Sequence, residues 1–220
     1  SHLAAIKGHV PFLHYFDGFR TSHEIQKVEC LDYEELAKLV DQKELKKFRD
    51  NALNPESPVL RTTGQNPDTY FQQREAANPY YEALPDVVES CMDQINEITG
   101  RNYKLFNYYG SPEAETVLVG MGSVTGTIQE TIDYLVAQGK KVGYLEVHLF
   151  RPFSPKHFFH ELPDTVKKIT VLDRDKEAGA VGEPLFEEIC SVLQDSGSPI
   201  KAYACRFGLA SKDTTPAQIV

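Results

Sequence analysis

The chain has 220 residues, 41% hydrophobic and 25% charged, ordinary globular proportions that exclude disordered and fibrous classes. Asp and Glu number 32 against 23 Lys and Arg, a net charge of −9 with no basic tract, which argues against a sequence-independent grip on nucleic acid or anionic lipid. There is no apolar run of ~18 residues to span a membrane, and the opening SHLAAIKGHV lacks the long apolar core of a signal peptide.

Taken in chain order, residues 2–7 read as the last turns of a helix, and VPFLHYF (10–16) as a buried strand rich in aromatic and branched residues. Residues 30–110 read as helical and irregular. Asp32-x-x-Glu35 and Asp41-x-x-Glu44 resemble capping boxes, with acids at helix starts. Residues 54–81 hold Pro55, Pro58, Pro67 and Pro79, which predicts a long ordered loop or a meander over another domain's surface. Pro85 is expected to open a helix whose apolar face carries Val88, Cys91, Met92, Ile95 and Ile98, ending at Gly100.

The second half alternates. TVLVGMGS (116–123), VGYLEVHLF (142–150), KITVLDR (168–174) and IKAYACRFG (200–208) read as buried strands. Helices are expected from a Thr127 cap to Gly139, from Ser154-Pro155, and over 183–193. That alternation predicts an α/β three-layer domain with a parallel sheet and right-handed crossovers. Thr215-Pro216 starts a helix only four residues before the end. With Ser1 opening on helix, both ends read as cut through structure, so the chain is expected to be a piece of a longer protein.

Cys30, Cys91, Cys190 and Cys205 form no C-x-x-C and no zinc or iron–sulfur spacing, and are expected to be reduced and mostly buried thiols. GMGSVTG (120–126) is a glycine-rich strand-to-helix turn with Glu146 twenty residues on. It is open to a phosphate site or to tight strand–helix packing. Its G-x-G-x-x-x-G spacing favours packing.

Asp17, Arg20, Thr21, His23 and Glu24 cluster just after the first predicted strand, where sites in open α/β sheets gather. They can contact an anionic ligand or a neighbouring subunit. The alternative, which carries more weight, is a turn where Asp17 accepts backbone N–H bonds and Arg20 pairs with an acid. Arg151 follows the 142–150 strand, and Asp173, Arg174, Asp175, Lys176 and Glu177 follow the next; such alternating charges mark a solvated loop or an ion-paired interface. His148, His157 and His160 lack metal spacing, and G-x-S-x-G is absent.

Longer phrases carry more information. PFLHYFDGFRTSHEIQKVE (11–29), QNPDTYFQQREAANPYYEALP (65–85), NYKLFNYYGSPEAETVLVGMGS (102–123), LFRPFSPKHF (149–158), ITVLDRDKEAGAVGEPLFEEI (169–189) and RFGLASKDTTPAQIV (206–220) resemble pyruvate:ferredoxin (flavodoxin) oxidoreductase, in register across the whole chain. The resemblance implies a parent that turns pyruvate and coenzyme A into acetyl-CoA and CO2. It would use thiamine diphosphate with Mg2+, and pass electrons through [4Fe–4S] clusters to ferredoxin or flavodoxin.

It also implies a large, multidomain, homodimeric parent that is cytoplasmic, or organellar in some anaerobic eukaryotes. Residues 1–30 would be the tail of the pyrimidine-side domain, 31–110 a connecting segment, 111–209 a transketolase C-terminal-like α/β domain, and 210–220 the start of the next. The activating glutamate, the diphosphate–Mg2+ motif and the cluster cysteines would lie outside this stretch, so no cofactor is expected on it and the piece alone should be inactive. Its expected role is docking against other domains of the same chain and the second subunit, with Asp17, Arg20, Thr21, His23, Arg151, Asp173 and Arg174 as candidates. Pyruvate over other 2-oxo acids rests on the resemblance alone. The alternative is a free-standing nucleotide-binding or interaction domain in a related 2-oxoacid oxidoreductase or flavin-linked reductase.

Overall fold

The computed structural model describes residues 1–59 and 64–220. In chain order the helices up to the first strand are α1 (His2–Gly8), α2 (Arg20–His23), α3 (Tyr33–Lys38), α4 (Gln42–Asp50), α5 (Pro67–Glu75) and α6 (Asn78–Thr99). Then follow β1 (Phe106–Gly110), β2 (Thr116–Gly120), α7 (Val124–Ala137), β3 (Val142–Val147), α8 (Pro155–Glu161), β4 (Lys168–Asp173), α9 (Pro184–Asp195), β5 (Lys201–Arg206), a 3-10 turn at Leu209–Ser211, and α10 (Pro216–Ile219). Among the described residues no helix is long and apolar enough to cross a membrane. Two compact units result: Ser1–His14 with Val28–Tyr103, and Tyr15–Lys27 with Lys104–Val220.

In the first unit apolar residues recur at helical spacing in α4 and α6, and the starts of α3 and α4 carry side-chain caps. Asp32 accepts the Glu34 N–H at 2.7 Å, and Asp41 accepts those of Lys43 and Glu44 at 3.0 Å each. Each box is half made, since Glu35 turns to Lys38 and Glu44 to Lys47 and His9. The buried residues Ala4, Val10, Leu84, Val88 and Cys91 form its core. Gly8 is needed where α1 meets α6: a Cβ there would lie 2.5 Å from Leu84 Cδ1. Gly100 ends α6 at φ 66° as expected.

Three expectations fail in this region. Pro85 does not open α6 but lies inside it, seven residues after a start that already carries Pro79 in its first turn. The stretch 54–81 is not one loop, because α5 starts at Pro67; its residues 60–63 lie outside the described ones. Residues 10–16 form no strand. Leu13, Tyr15 and Phe16 are exposed, and the chain passes from one unit to the other within this run.

The second unit is a five-stranded α/β sheet of order β1-β3-β2-β4-β5. β3, β2, β4 and β5 are parallel neighbours, as the alternating strand and helix runs dictate. β1, unforeseen, adds an antiparallel edge to β3, pairing Phe106 with Val147 through Gly110 with Gly143. The sheet is therefore mixed. α7 packs Val124, Ile128 and Ile132 on the face that carries Leu118, Tyr144 and Leu172. Strand alternation turns Val117, Val119, Leu145, Ile169 and Val171 to the other face. There the crossovers from β3 and β4 place α8 and α9.

α7 starts at Val124, so Thr127 is a helix-interior residue and not its cap. β5 is exposed along most of its length, against the expected burial, because an edge strand has one neighbour. α10 carries the Thr215–Gln218 capping box at its expected start. The four thiols are free, but the expectation that they are mostly buried fails for Cys30 and Cys205, which are exposed; Cys91 is buried and Cys190 half-buried.

Candidate functional site

Four parallel strands fix where a site can form. β2 feeds its crossover to β3 on one side, and β4 feeds its crossover to β5 on the other. The chain thus reverses direction between β2 and β4, and the crevice outside their carboxyl ends is the position where open α/β sheets hold ligands. Gly120 ends β2 and Asp173 ends β4. After β2 the GMGS turn brings the chain straight into α7, with Gly122 at φ 79°.

In this crevice lies Asp17. Its carboxylate accepts the Ser123 N–H at the start of α7. Gly122 passes so close that a Cβ would stand 2.8 Å from Asp17 Oδ2. Arg174, just past β4, puts Nη1 3.4 Å from Asp17 Oδ1, and its Nε donates to the Gly208 carbonyl at 3.0 Å. Ser123 makes no side-chain cap, so Asp17 supplies the anion that the amino end of this 14-residue helix favours. Tyr15 adds an O–H to Met121 Sδ at 3.7 Å.

The other candidates are scattered. Arg20 ion-pairs with Asp213, and Thr21 sits half-buried in α2. His23 faces the Phe19 carbonyl through Nδ1. Arg151 binds Glu188 with Nε at 3.2 Å and Nη2 at 3.0 Å, and stands 4.9 Å from the Phe150 ring centroid. Asp17 and Arg174 therefore meet, while Arg20, His23 and Arg151 each have partners elsewhere. Asp173 is buried and accepts the Leu185 and Phe186 N–H groups at 3.2 and 3.1 Å, capping α9 from the end of β4. Burial pushes its carboxyl up, opposed by those two N–H bonds.

Sequence reasoning missed Glu183. This acid, 1% exposed, accepts the Glu177 N–H at 2.7 Å and the Arg206 guanidinium, with Lys176 Nζ at 3.8 Å. The Glu177 N–H and then Arg206 hold its carboxyl below the usual range. Its signal was an acid immediately before a helix-starting proline; its partner twenty-three residues on gave none. Glu146, considered for a ribose, lies 3.5 Å from His148 Nε2. Buried His157 shares a 2.6 Å hydrogen bond with Ser154 Oγ, and His160 lies 3.3 Å from Glu161.

The second unit's residues do not fit a diphosphate. The turn that would cradle one already holds Asp17, and its buried acids Asp173 and Glu183 are engaged by backbone N–H groups and Arg206.

Comparison with known proteins agrees with the sequence resemblance. Residues 1–93 match the family described as pyruvate flavodoxin/ferredoxin oxidoreductase, thiamine diphosphate-binding, and residues 114–219 match pyruvate:ferredoxin oxidoreductase core domain II. The chain is 55% identical over 220 residues to the pyruvate-flavodoxin oxidoreductase of Enterobacter agglomerans, covering 100% of this chain and 19% of that protein. It is 54% identical over 219 residues to the pyruvate:ferredoxin oxidoreductase of Moorella thermoacetica, again covering 100% and 19%. A solved 2-oxoglutarate:ferredoxin oxidoreductase from Magnetococcus marinus aligns with 76% of this chain and 26% of its own, at 17% identity and TM-score 0.45. The chain thus spans about one fifth of the length of the curated relatives it matches. With two family regions covering nearly all its residues, this chain belongs to the pyruvate:ferredoxin/flavodoxin oxidoreductase family.

Proposed function

We propose that the chain is a scaffold region of an oxidoreductase that decarboxylates pyruvate. Pyruvate loses its carboxylate as CO2. The acetyl unit gives up two electrons and leaves as the thioester of coenzyme A, with one proton released. The electrons go to ferredoxin or flavodoxin, as the relatives' names indicate. Thiamine diphosphate with Mg2+ and [4Fe–4S] clusters serve the parent protein. The observation that carries this reading is 55% identity across the whole chain.

In this reading residues 1–30 end the pyrimidine-side domain and 31–110 connect it onward. Residues 111–209 form the transketolase C-terminal-like domain, and 210–220 begin the next. Other domains of the chain and a second subunit are the partners, in the cytoplasm. Arg20, His23 and Arg151, all exposed, and the half-buried Thr21 are docking residues, while Asp17 and Arg174 hold each other at the crevice and the buried Asp173 caps α9 and takes no part in docking.

The test is pyruvate- and coenzyme A-dependent reduction of ferredoxin or flavodoxin by the full-length protein. Turnover is expected there and none from residues 1–220 alone. Failure of the full-length protein to turn over pyruvate while oxidising another 2-oxo acid would overturn the substrate. The nucleotide-binding alternative is disfavoured by Asp17, which fills the crevice a phosphate would need. Calorimetric titration of the chain with NAD, FAD or ADP should therefore show no saturable micromolar binding.

A further inference from the structure

Residues 15–27 contribute no strand to the second unit, yet they belong to it. Of these thirteen residues only Asp17 and Thr21 are half-buried, and the rest are exposed. Phe16 is 70% exposed, Phe19 71%, and Ile25 wholly so. Hydrophobic burial therefore holds this strap weakly. What fastens it is polar: Asp17 to the Ser123 N–H and to Arg174, and Arg20 to Asp213. The Tyr15–Met121 contact adds a weak donor–sulfur bond.

These fasteners are unequal. Arg20 and Asp213 have side chains 54% and 72% exposed, so water screens their pair and it contributes little. Asp17, with a side chain only 16% exposed, joins a charge-assisted N–H bond, a helix amino end and a guanidinium in one place.

The geometry points to Asp17 as a latch that closes the crevice between β2 and β4. Its carboxylate stands where an anionic ligand would stand at a switch point, and it holds the strap there. Segments with few buried apolar contacts open locally at low cost while the rest stays folded. The strap opens when Asp17 leaves Ser123 and Arg174, and the crevice opens with it. The β2–β4 ladder and the α7 core, which take no residue from the strap, remain.

Hydrogen–deuterium exchange of this chain, read by mass spectrometry, tests the latch alongside trypsin cleavage after Arg20 and Lys27. Asp17→Ala should raise exchange of peptides within 15–27 about ten- to a hundredfold, the range set by losing a hydrogen bond to a charged group. It should speed cleavage similarly and leave peptides within 116–120 and 168–173 unchanged. Asp17→Asn keeps an acceptor for Ser123 but not the charge, and should give a smaller rise in the same peptides. Arg20→Ala should give the smallest. Unchanged strap exchange in Asp17→Ala overturns the latch. So does a rise spread evenly over the sheet, which would make Asp17 a general structural residue. Should Asp17→Ala fail to fold, Asp17→Asn decides: strap-confined rise supports the latch, and no rise overturns it.

Discussion

Asp173 and Glu183 are buried acids in one unit, and they respond to pH in opposite senses. Asp173 has its carboxyl raised by burial, so ionisation opposes folding. Its contribution to stability grows as pH falls through the raised value toward the ordinary aspartate range. Glu183 has its carboxyl lowered by the Glu177 N–H and Arg206, so its contribution is present above the ordinary glutamate value and is lost as pH falls through the lowered one. Urea unfolding between pH 7 and pH 3 separates the two. The stability gap between wild type and Asp173→Asn should widen as pH falls, and the gap for Glu183→Gln should narrow. At pH 7 Asp173→Ala leaves two N–H groups of α9 uncapped and should cost about 2 kcal/mol.

At the scale of elements, β1 carries a signal that chain-order reading passed over. Tyr108 and Tyr109 stand beside a Gly-Ser-Pro turn, but one antiparallel edge strand lacks the alternation that marks a βαβ unit. Its fit depends on Gly143, where a Cβ would fall 2.1 Å from the Tyr108 hydroxyl oxygen. Desolvation raises that hydroxyl to about 12, as expected for a phenol tucked against the sheet. Gly143→Ala must displace the ring or part β1 from β3, and should cost about 1 to 3 kcal/mol in thermal unfolding followed by circular dichroism. Exchange at the amides of 106–110 should rise with it. The helices were easier: Gly100, Asp32, Asp41 and Thr215 each mark a terminus by a backbone conformation or a cap that their residue type favours.

At the scale of the whole molecule, exposed charges such as Arg20 and Arg151 are poor stabilisers of the chain by itself. Both already hold an acid, Asp213 and Glu188. Their proposed value lies in meeting the rest of a protein about five times longer. In the full-length protein, Arg20→Ala and Arg151→Ala should each lower the melting temperature by a few degrees and reduce turnover. Unchanged melting and turnover in both would remove them from any docking role. In the isolated chain the same substitutions should shift stability by less than about 1 kcal/mol.

Read by itself, the sequence determined the family, the parallel α/β core and most helix ends. Strand runs such as TVLVG and helix caps such as Thr215 act locally, through neighbours a few residues away. Only the tertiary structure decided which carboxylate meets which donor. Asp17 finds Ser123 across 106 residues, and Glu183 finds Arg206 across 23. Nothing in the local pattern fixes such distances, because the sheet order brings those residues together only after the strands have paired.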